Sequence, residues 1–339
     1  MRYYLFILAS SILVSCQEEI TLDLPQAESK IVVEGAIEAG YPPYIILTKN
    51  QGYFEPIDIN TYSDIFVNDA DTVKVWYYND MDEKVVRILE KLSLSDSLPP
   101  LYTDINWLST WDGYTPYEFS QVERKYYLEI VWNNQTITAE TTIPKSTPLD
   151  CLWVKRSETA DKDFKCEIRA IYSDPVSQQN NILIKSKRIQ HSTREDSSLC
   201  ELVDKPDRLL KIIDAGSDVL INGESFETYF PRPNDNGFPT GNYNSYRTKN
   251  CNDTILEFPE DIVLIKFCQI DEPSLKFWRG LIRQAGSSGN PFSEPMNLVS
   301  NINGGFGVFT GYGSVYYRVP IVIDTTITDT IQPNILDIF

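Results

Sequence analysis

Residues 126–142 read Tyr126-Tyr127-Leu128-Glu129-Ile130-Val131-Trp132-Asn133-Asn134-Gln135-Thr136-Ile137-Thr138-Ala139-Glu140-Thr141-Thr142. Two runs rich in aromatic and β-branched residues flank Asn133-Asn134, the pattern of a β-hairpin. Working outward, residues 72–78 alternate cleanly, with Val73, Val75 and Tyr77 on one face. Residues 31–37, 44–48 and 84–89 are further short strands separated by turn signals. Six or seven such strands over about 115 residues predict an immunoglobulin-like β-sandwich spanning 30–145. Pro144 and Pro148 mark its end.

Residues 146–339 predict a second β-rich domain, sandwich or barrel-like, with one packed helix. Its expected strands are 152–156, 165–172, 181–190, 219–222, 225–230, 254–258, 262–269 and 315–323. Residues 231–251 are polar, with Pro, Asn and Gly throughout, and read as a long loop. The helix is expected near 273–285. Asp271 suits its cap, Pro273 its first turn and Gly286 its end, and Leu275, Trp278, Leu281 and Ile282 share one face. A packed corner is expected where Gly304, Gly305 and Gly307 allow unusual backbone, with Phe306, Val308 and Tyr312 inserting at alternating positions.

The chain begins with Arg2, an apolar run from Tyr3 to Val14, then Ser15-Cys16. That is a secretory signal over residues 1–15, too short to span a bilayer. The Cys after the small residue looks like the lipobox of a bacterial lipoprotein. The resemblance implies cleavage before Cys16, diacylglycerol on its thiol and a palmitate-type chain on its amino group, hence stable anchoring in outer-membrane lipid. Residues 16–29 read as a tether. Gln17-Glu18-Glu19 resembles the short acidic signal that sends such lipoproteins to the cell surface.

Of 339 residues, 48 are acidic and 30 basic. Losing the leader removes Arg2 and no acid, so the mature charge is 29 basic against 48 acidic, or −19. A charge this negative argues against nucleic acid, whose phosphates would be repelled, and against a polybasic membrane-binding face. Six cysteines are present. With Cys16 lipidated, five remain in an oxidising compartment, and Cys200 with Cys251 is the pair expected to staple the polar insertion between them.

No cofactor, metal or catalytic residue is indicated. The chain holds one histidine, His191, and no C-x-x-C or G-x-S-x-G. Asp69-Ala70-Asp71 and Asn234-Asp235-Asn236-Gly237 fall short of a calcium loop and read as turns. Two carboxylates distant in sequence remain the one hydrolytic alternative. The candidate contact residues are aromatic: Trp107 and Trp111, with Tyr114 and Tyr117 beside them, and Tyr229, Phe230 and Tyr243, near Phe238 and Tyr246. Trp and Tyr at these positions either stack on a ligand or partner, or fill a seam between domains.

Several segments carry a wider resemblance: the signal with Cys16, Ile31-Val32-Val33-Glu34-Gly35, Thr141-Thr142-Ile143-Pro144 and Asn222-Gly223-Glu224-Ser225-Phe226. Sharpest are Asn290-Pro291-Phe292-Ser293-Glu294-Pro295 and Ser300-Asn301-Ile302-Asn303-Gly304-Gly305-Phe306-Gly307-Val308-Phe309. Together they resemble the Bacteroidota lipoproteins of the domain-of-unknown-function family 4249. The resemblance covers nearly the whole mature chain and implies a partner, a TonB-dependent outer-membrane transporter, but no reaction. The expectation is a non-enzymatic surface accessory that captures ligand for the transporter or gates it. A structural or adhesive envelope protein is the alternative, and a hydrolase with paired carboxylates a third.

Overall fold

The longest strand among the described residues, β20 (Phe306–Pro320), organises the molecule. The computed structural model describes residues 29–335 apart from 51–61, 94–97, 160–161, 177, 194–200, 220–221, 234–240, 252 and 288–296. The signal, Cys16 and the tether up to residue 28 lie outside the described residues, as do Cys200, Phe238, the 234–237 turn and the Asn290–Pro295 motif.

β20 pairs in parallel with β1 (Ile31–Glu38) and antiparallel with β18 (Ile262–Gln269). These three are the middle of a nine-stranded wall. Its order is β12 (Leu202–Pro206), β11 (Asn181–Thr193), β18, β20, β1, β2 (Tyr44–Lys49), β6 (Leu101–Thr103) and β5 (Glu90–Leu92), with β13 (Lys211–Ser217) also on β11. A five-stranded sheet of β19 (Ile302–Asn303), β8 (Gln135–Thr142), β7 (Lys125–Trp132), β3 (Thr72–Tyr78) and β4 (Lys84–Ile88) packs against the N-terminal half of the wall. A second, of β14 (Ser225–Phe230), β10 (Lys165–Ser173), β9 (Cys151–Arg156) and β21 (Thr326–Ile327), with β15 (Tyr243–Asn244) on β10, packs against the other half. β16 (Arg247–Cys251) and β17 (Thr254–Phe258) form a separate hairpin. The chain is therefore mainly β and sandwich-like, and no sheet closes into a barrel among the described residues.

Alternation along the strands assigns the faces. Odd-numbered Ile31, Val33, Ile37 and Phe309 enter the first core, and Tyr317 and Val319 enter the second. Even-numbered Ala36, Val308 and Tyr312 face the other way, under Leu275 and Trp278 of the helix Glu272–Ser287. Both small sheets thus cover one face of the wall and the helix covers the opposite face. Trp278 fixes the helix by donating from Nε1 to Thr310 Oγ1, 3.1 Å.

The expected boundary at 145 marks a change of partner sheet rather than a break. The first core takes Ile302 and Phe309 from the far end of the chain, so residues 30–145 do not close it alone. Asp271 ties the halves together. Its Oδ1 accepts from Ser274 N (3.0 Å), capping the helix. Its Oδ2 accepts from Thr141 Oγ1 (2.7 Å) and Thr142 N (3.2 Å), while Thr141 Oγ1 accepts from Gly311 N (2.8 Å). Helix, β8 and β20 therefore meet at one carboxylate. The helix runs one residue past the expected stop at Gly286.

Gly304 and Gly305 form the tight turn between β19 and β20, Gly304 with φ +88°, while Gly307, Gly311 and Gly313 lie within β20 itself. A Cβ on Gly311 would sit 2.3 Å from Thr142 O, and one on Gly313 2.1 Å from Pro144 O. The connection from β8 to β9 crosses the wall there, in direct backbone contact. Val308 and Tyr312 do insert at alternating positions, but Phe306 stays exposed. Asn301 acts as a substitute strand: Oδ1 accepts from Phe309 N (2.9 Å) and Nδ2 donates to Phe309 O (2.8 Å).

Other expectations need correction. Residues 219 and 222 are turn, and the strand is one element earlier, at β13. β12 was not expected at all, and the 231–251 loop contains β15 and the whole of β16. No helix among the described residues is long and apolar enough to cross a membrane.

Candidate functional site

The second sandwich is open along one side. There β13 pairs only with β11, and β14 only with β10, among the described residues. A cavity of about 180 Å3 lies between these edges. Tyr172, Ile182, Ile184, Phe226 and Phe267 form its apolar walls. Tyr172 packs its ring on Phe226 (centroids 5.6 Å) and Phe267 (5.4 Å). Asp214, Gly216, Ser217, Asp218 and Thr228 form the polar side. Gly216 pairs with Ile182, and a Cβ there would meet nothing within 4 Å. The missing side chain is part of the cavity.

Two carboxylates hold this end together. Asp174 Oδ1 accepts from Tyr172 OH (3.1 Å) and Asn180 Nδ2 (2.8 Å), and its Oδ2 accepts from Gly223 N (2.9 Å). Gly223 has φ +80°, a conformation glycine supplies freely. Hence Asn222-Gly223-Glu224-Ser225-Phe226 is the turn that presents Phe226 to the cavity. Asp218 is 1% exposed. Its Oδ2 accepts from Asn180 N (2.6 Å), but Oδ1 has no partner, and neither does Ser217 Oγ. Burial, followed by the neighbouring Asp174, raises the Asp218 pKa. With Asp174 committed to three donors, the pair supplies no free base beside a free acid.

A second concavity, an open groove of about 570 Å3, is lined by Tyr41, Tyr114 and Tyr316 among others. Several of its polar groups already have partners, while Ser314 Oγ has none among the described residues. Glu38 accepts from Lys266 and Tyr316, Tyr41 OH donates to Pro333 O (3.4 Å), and Gln332 Nε2 donates to Tyr114 O (3.3 Å). The first cavity, walled by aromatic side chains from three strands, is the more enclosed of the two.

The aromatic candidates do not converge on one surface. Trp107 lies on the short helix Ile105–Thr110, capped by Asp104, with Trp111 at 5.6 Å and Tyr117 at 5.1 Å. Both tryptophans are partly buried, Trp107 against the first core and Trp111 beside Tyr41 and Tyr316. Tyr229 is exposed on β14, near Arg169. Phe230 and Tyr243 are 0% exposed in the second core, so burial corrects their expected role as contact residues. They end and begin strands, where a core side chain next to a polar loop reads like a loop side chain. Asp218, Ser217 and Gly216 carried no sequence signal; a small residue pair before an acid is ordinary turn composition.

Cys251 is disulfide-bonded, while Cys151, Cys166 and Cys268 are free. Its expected partner Cys200 lies outside the described residues. His191 Nδ1 lies 2.6 Å from Asp204 Oδ1 on the adjacent β12, in a cross-strand pair. Asp69 Oδ1 accepts from Trp132 Nε1 (2.9 Å), a turn contact.

The model of the domain of unknown function DUF4249 matches residues 17–318. The chain belongs to the DUF4249 family. The match takes in the wall up to Arg318 of β20, both small sheets except β21, and every residue lining the cavity. The C-terminal segment that borders the open groove, residues 330–333, lies beyond it. No curated protein matches the chain.

Proposed function

We propose that this DUF4249 protein is a lipid-anchored envelope accessory that captures a small ligand and works beside a TonB-dependent transporter. The observation that carries the capture reading is the cavity of the second sandwich, where the aromatic walls of Tyr172, Phe226 and Phe267 meet a polar edge that includes Asp214 and Thr228. Pockets of this character, apolar with a few convergent polar groups, are how proteins hold small molecules. The Ser15-Cys16 sequence supports the anchor, and the acidic stretch after it supports display at the cell surface. Trp107, Trp111 and exposed Tyr229 are the surface residues best suited to the transporter contact.

Tagged protein recovered from detergent-solubilised envelopes tests the partner. The expected result is co-purification of a TonB-dependent transporter, weakened by Tyr229→Ala or Trp111→Ala. Recovery without any transporter, together with unchanged nutrient uptake after gene deletion, would favour the structural or adhesive reading instead.

A further inference from the structure

The open groove beside Tyr41 and Tyr316 lies along a strand edge. β1 pairs with β20 as far as Glu38 opposite Tyr312. It then turns away: Tyr41 N donates to Glu38 O (3.0 Å), and Gly40 bridges to Tyr117. β20 runs on to Pro320 with β18 along its other side. Backbone groups alternate sides along a strand. Tyr312 O accepts from Ala39 N (3.2 Å) on the β1 side, so Ser314, Tyr316 and Arg318 direct their N–H and C=O groups to the side that β1 has left. Ser314 and Tyr316 line the groove, and Arg318 is exposed. Such an edge is a template for another strand.

The C-terminal segment of the chain occupies this place incompletely. Ile331 forms an isolated antiparallel bridge with Tyr316, its N donating to Tyr316 O (2.9 Å). Among the described residues that is the one bridge on this side of β20 beyond Tyr312. Carrying the register on sets Pro333 opposite Ser314. Proline has no N–H to give, and Pro333 O accepts from Tyr41 OH (3.4 Å) instead. The next rung is therefore missing. Residues 38–41 and 314–316, which build the groove, lie within the DUF4249 match, and residues 330–333, which occupy it, do not.

We propose that this edge of β20 docks an extended peptide segment of a partner protein, which displaces residues 328–335 and adds a strand antiparallel to residues 314–318. The space and the backbone geometry are those the resident segment already uses. A strand with a donor in place of Pro333 pairs at Ser314 as well as at Tyr316, where the resident segment pairs only at Tyr316. The rings of Tyr41, Tyr316 and Trp111 favour an apolar residue on the incoming strand. Glu38 is the charged residue in the lining, and Lys266 and Tyr316 already meet it. Main-chain pairing rather than charge therefore selects the occupant. Ligand capture in the other cavity neither requires this docking nor is required by it.

Fluorescence polarisation of labelled synthetic peptides, titrated with the full chain in detergent, tests this directly. The probes are residues 328–335 as they stand and the same peptide carrying Pro333→Thr. The threonine peptide is expected to bind about tenfold more tightly, the gain of two backbone hydrogen bonds. N-methylation of its Ile331 amide, which faces Tyr316 O, should abolish binding. N-methylation of its Gln332 amide, which faces away, should leave binding intact. In the protein, Ile331→Pro removes the N–H that holds the resident segment and should raise affinity for the threonine peptide by about fivefold. Ile331 is 36% exposed, so the melting temperature should hold, and light scattering should still show a monomer. Equal affinity for the two peptides, equal loss with either methyl group, or no binding even to the Ile331→Pro chain would overturn the docking. Dimerisation of the Ile331→Pro chain, reversed by the threonine peptide, would make a second copy the occupant and overturn the assignment to a partner protein.

Discussion

Gly311→Ala is expected to destabilise the fold by about 3 kcal/mol or more. The added Cβ would lie 2.3 Å from Thr142 O and 2.6 Å from Thr142 C, both backbone atoms that no rotamer change can move. Relief requires lifting the β8–β9 connection off the wall. That motion breaks the Gly311 N to Thr141 Oγ1 bond and disturbs the Asp271 carboxylate behind it. The loss should appear in urea unfolding as a lower midpoint, and Gly313→Ala, 2.1 Å from Pro144 O, should behave alike. Gly216→Ala, on the same wall but with nothing within 4 Å, is the control and should cost little. If Gly311→Ala unfolded with the wild-type midpoint, the connection would not cross the wall in contact.

A comparable loss is expected from Lys266→Met. Lys266 and Glu38 form an ion pair of 2.5 Å with side chains 2% and 3% exposed, and Tyr316 OH donates to the other Glu38 oxygen at 2.7 Å. Removing the cation strands a buried carboxylate, typically at a cost of about 3–5 kcal/mol. Glu38→Gln added to Lys266→Met should recover much of it, because the stranded charge is then gone. Lys185 is the contrast. It is buried against Tyr312, whose OH lies at 3.4 Å and ring at 5.3 Å, and against the Trp278 ring at 4.5 Å. Burial first, and the Lys266 charge next, push its pKa down to about 8. Lys185→Met should therefore cost little or stabilise. Where the unfolded lysine still binds a proton and the folded one has released it, stability rises, so this group stabilises the wild type as pH climbs above about 8. The Lys185→Met variant should lack that rise.

Local chemistry made parts of this fold legible. Asn133 and Asn134 take φ 50° and 60°, the two positive values of a tight hairpin turn, and the strands on either side pair as read. Asp271, Leu275 and Trp278 announced the helix because capping and 3.6-residue spacing are local properties. The wall was not legible. Its central contact pairs Val33 with Gly307 in parallel, and nothing near either residue specifies a partner so remote in sequence. Gly304, Gly305 and Gly307 signalled unusual backbone, but nothing marked Gly311 and Gly313 as the points where the β8–β9 connection touches the wall. The cavity was invisible for the same reason: Tyr172, Gly216 and Phe226 come from three strands that only the tertiary fold aligns. Phe230 and Tyr243 misled because aromatic side chains beside polar loops look alike whether they turn inward or outward.

The family match fixes what kind of chain this is, and the functional account adds a lipid-held cleft at the bacterial envelope. Fractionation of cells expressing wild type and Cys16→Ala tests that account at its root. Wild type should sediment with outer membrane, its N-terminal fragment carrying the mass of acyl chains on Cys16. Cys16→Ala should leave the outer-membrane fraction and lack that mass. A variant that still sedimented with outer membrane, or a wild-type Cys16 without lipid, would contradict it.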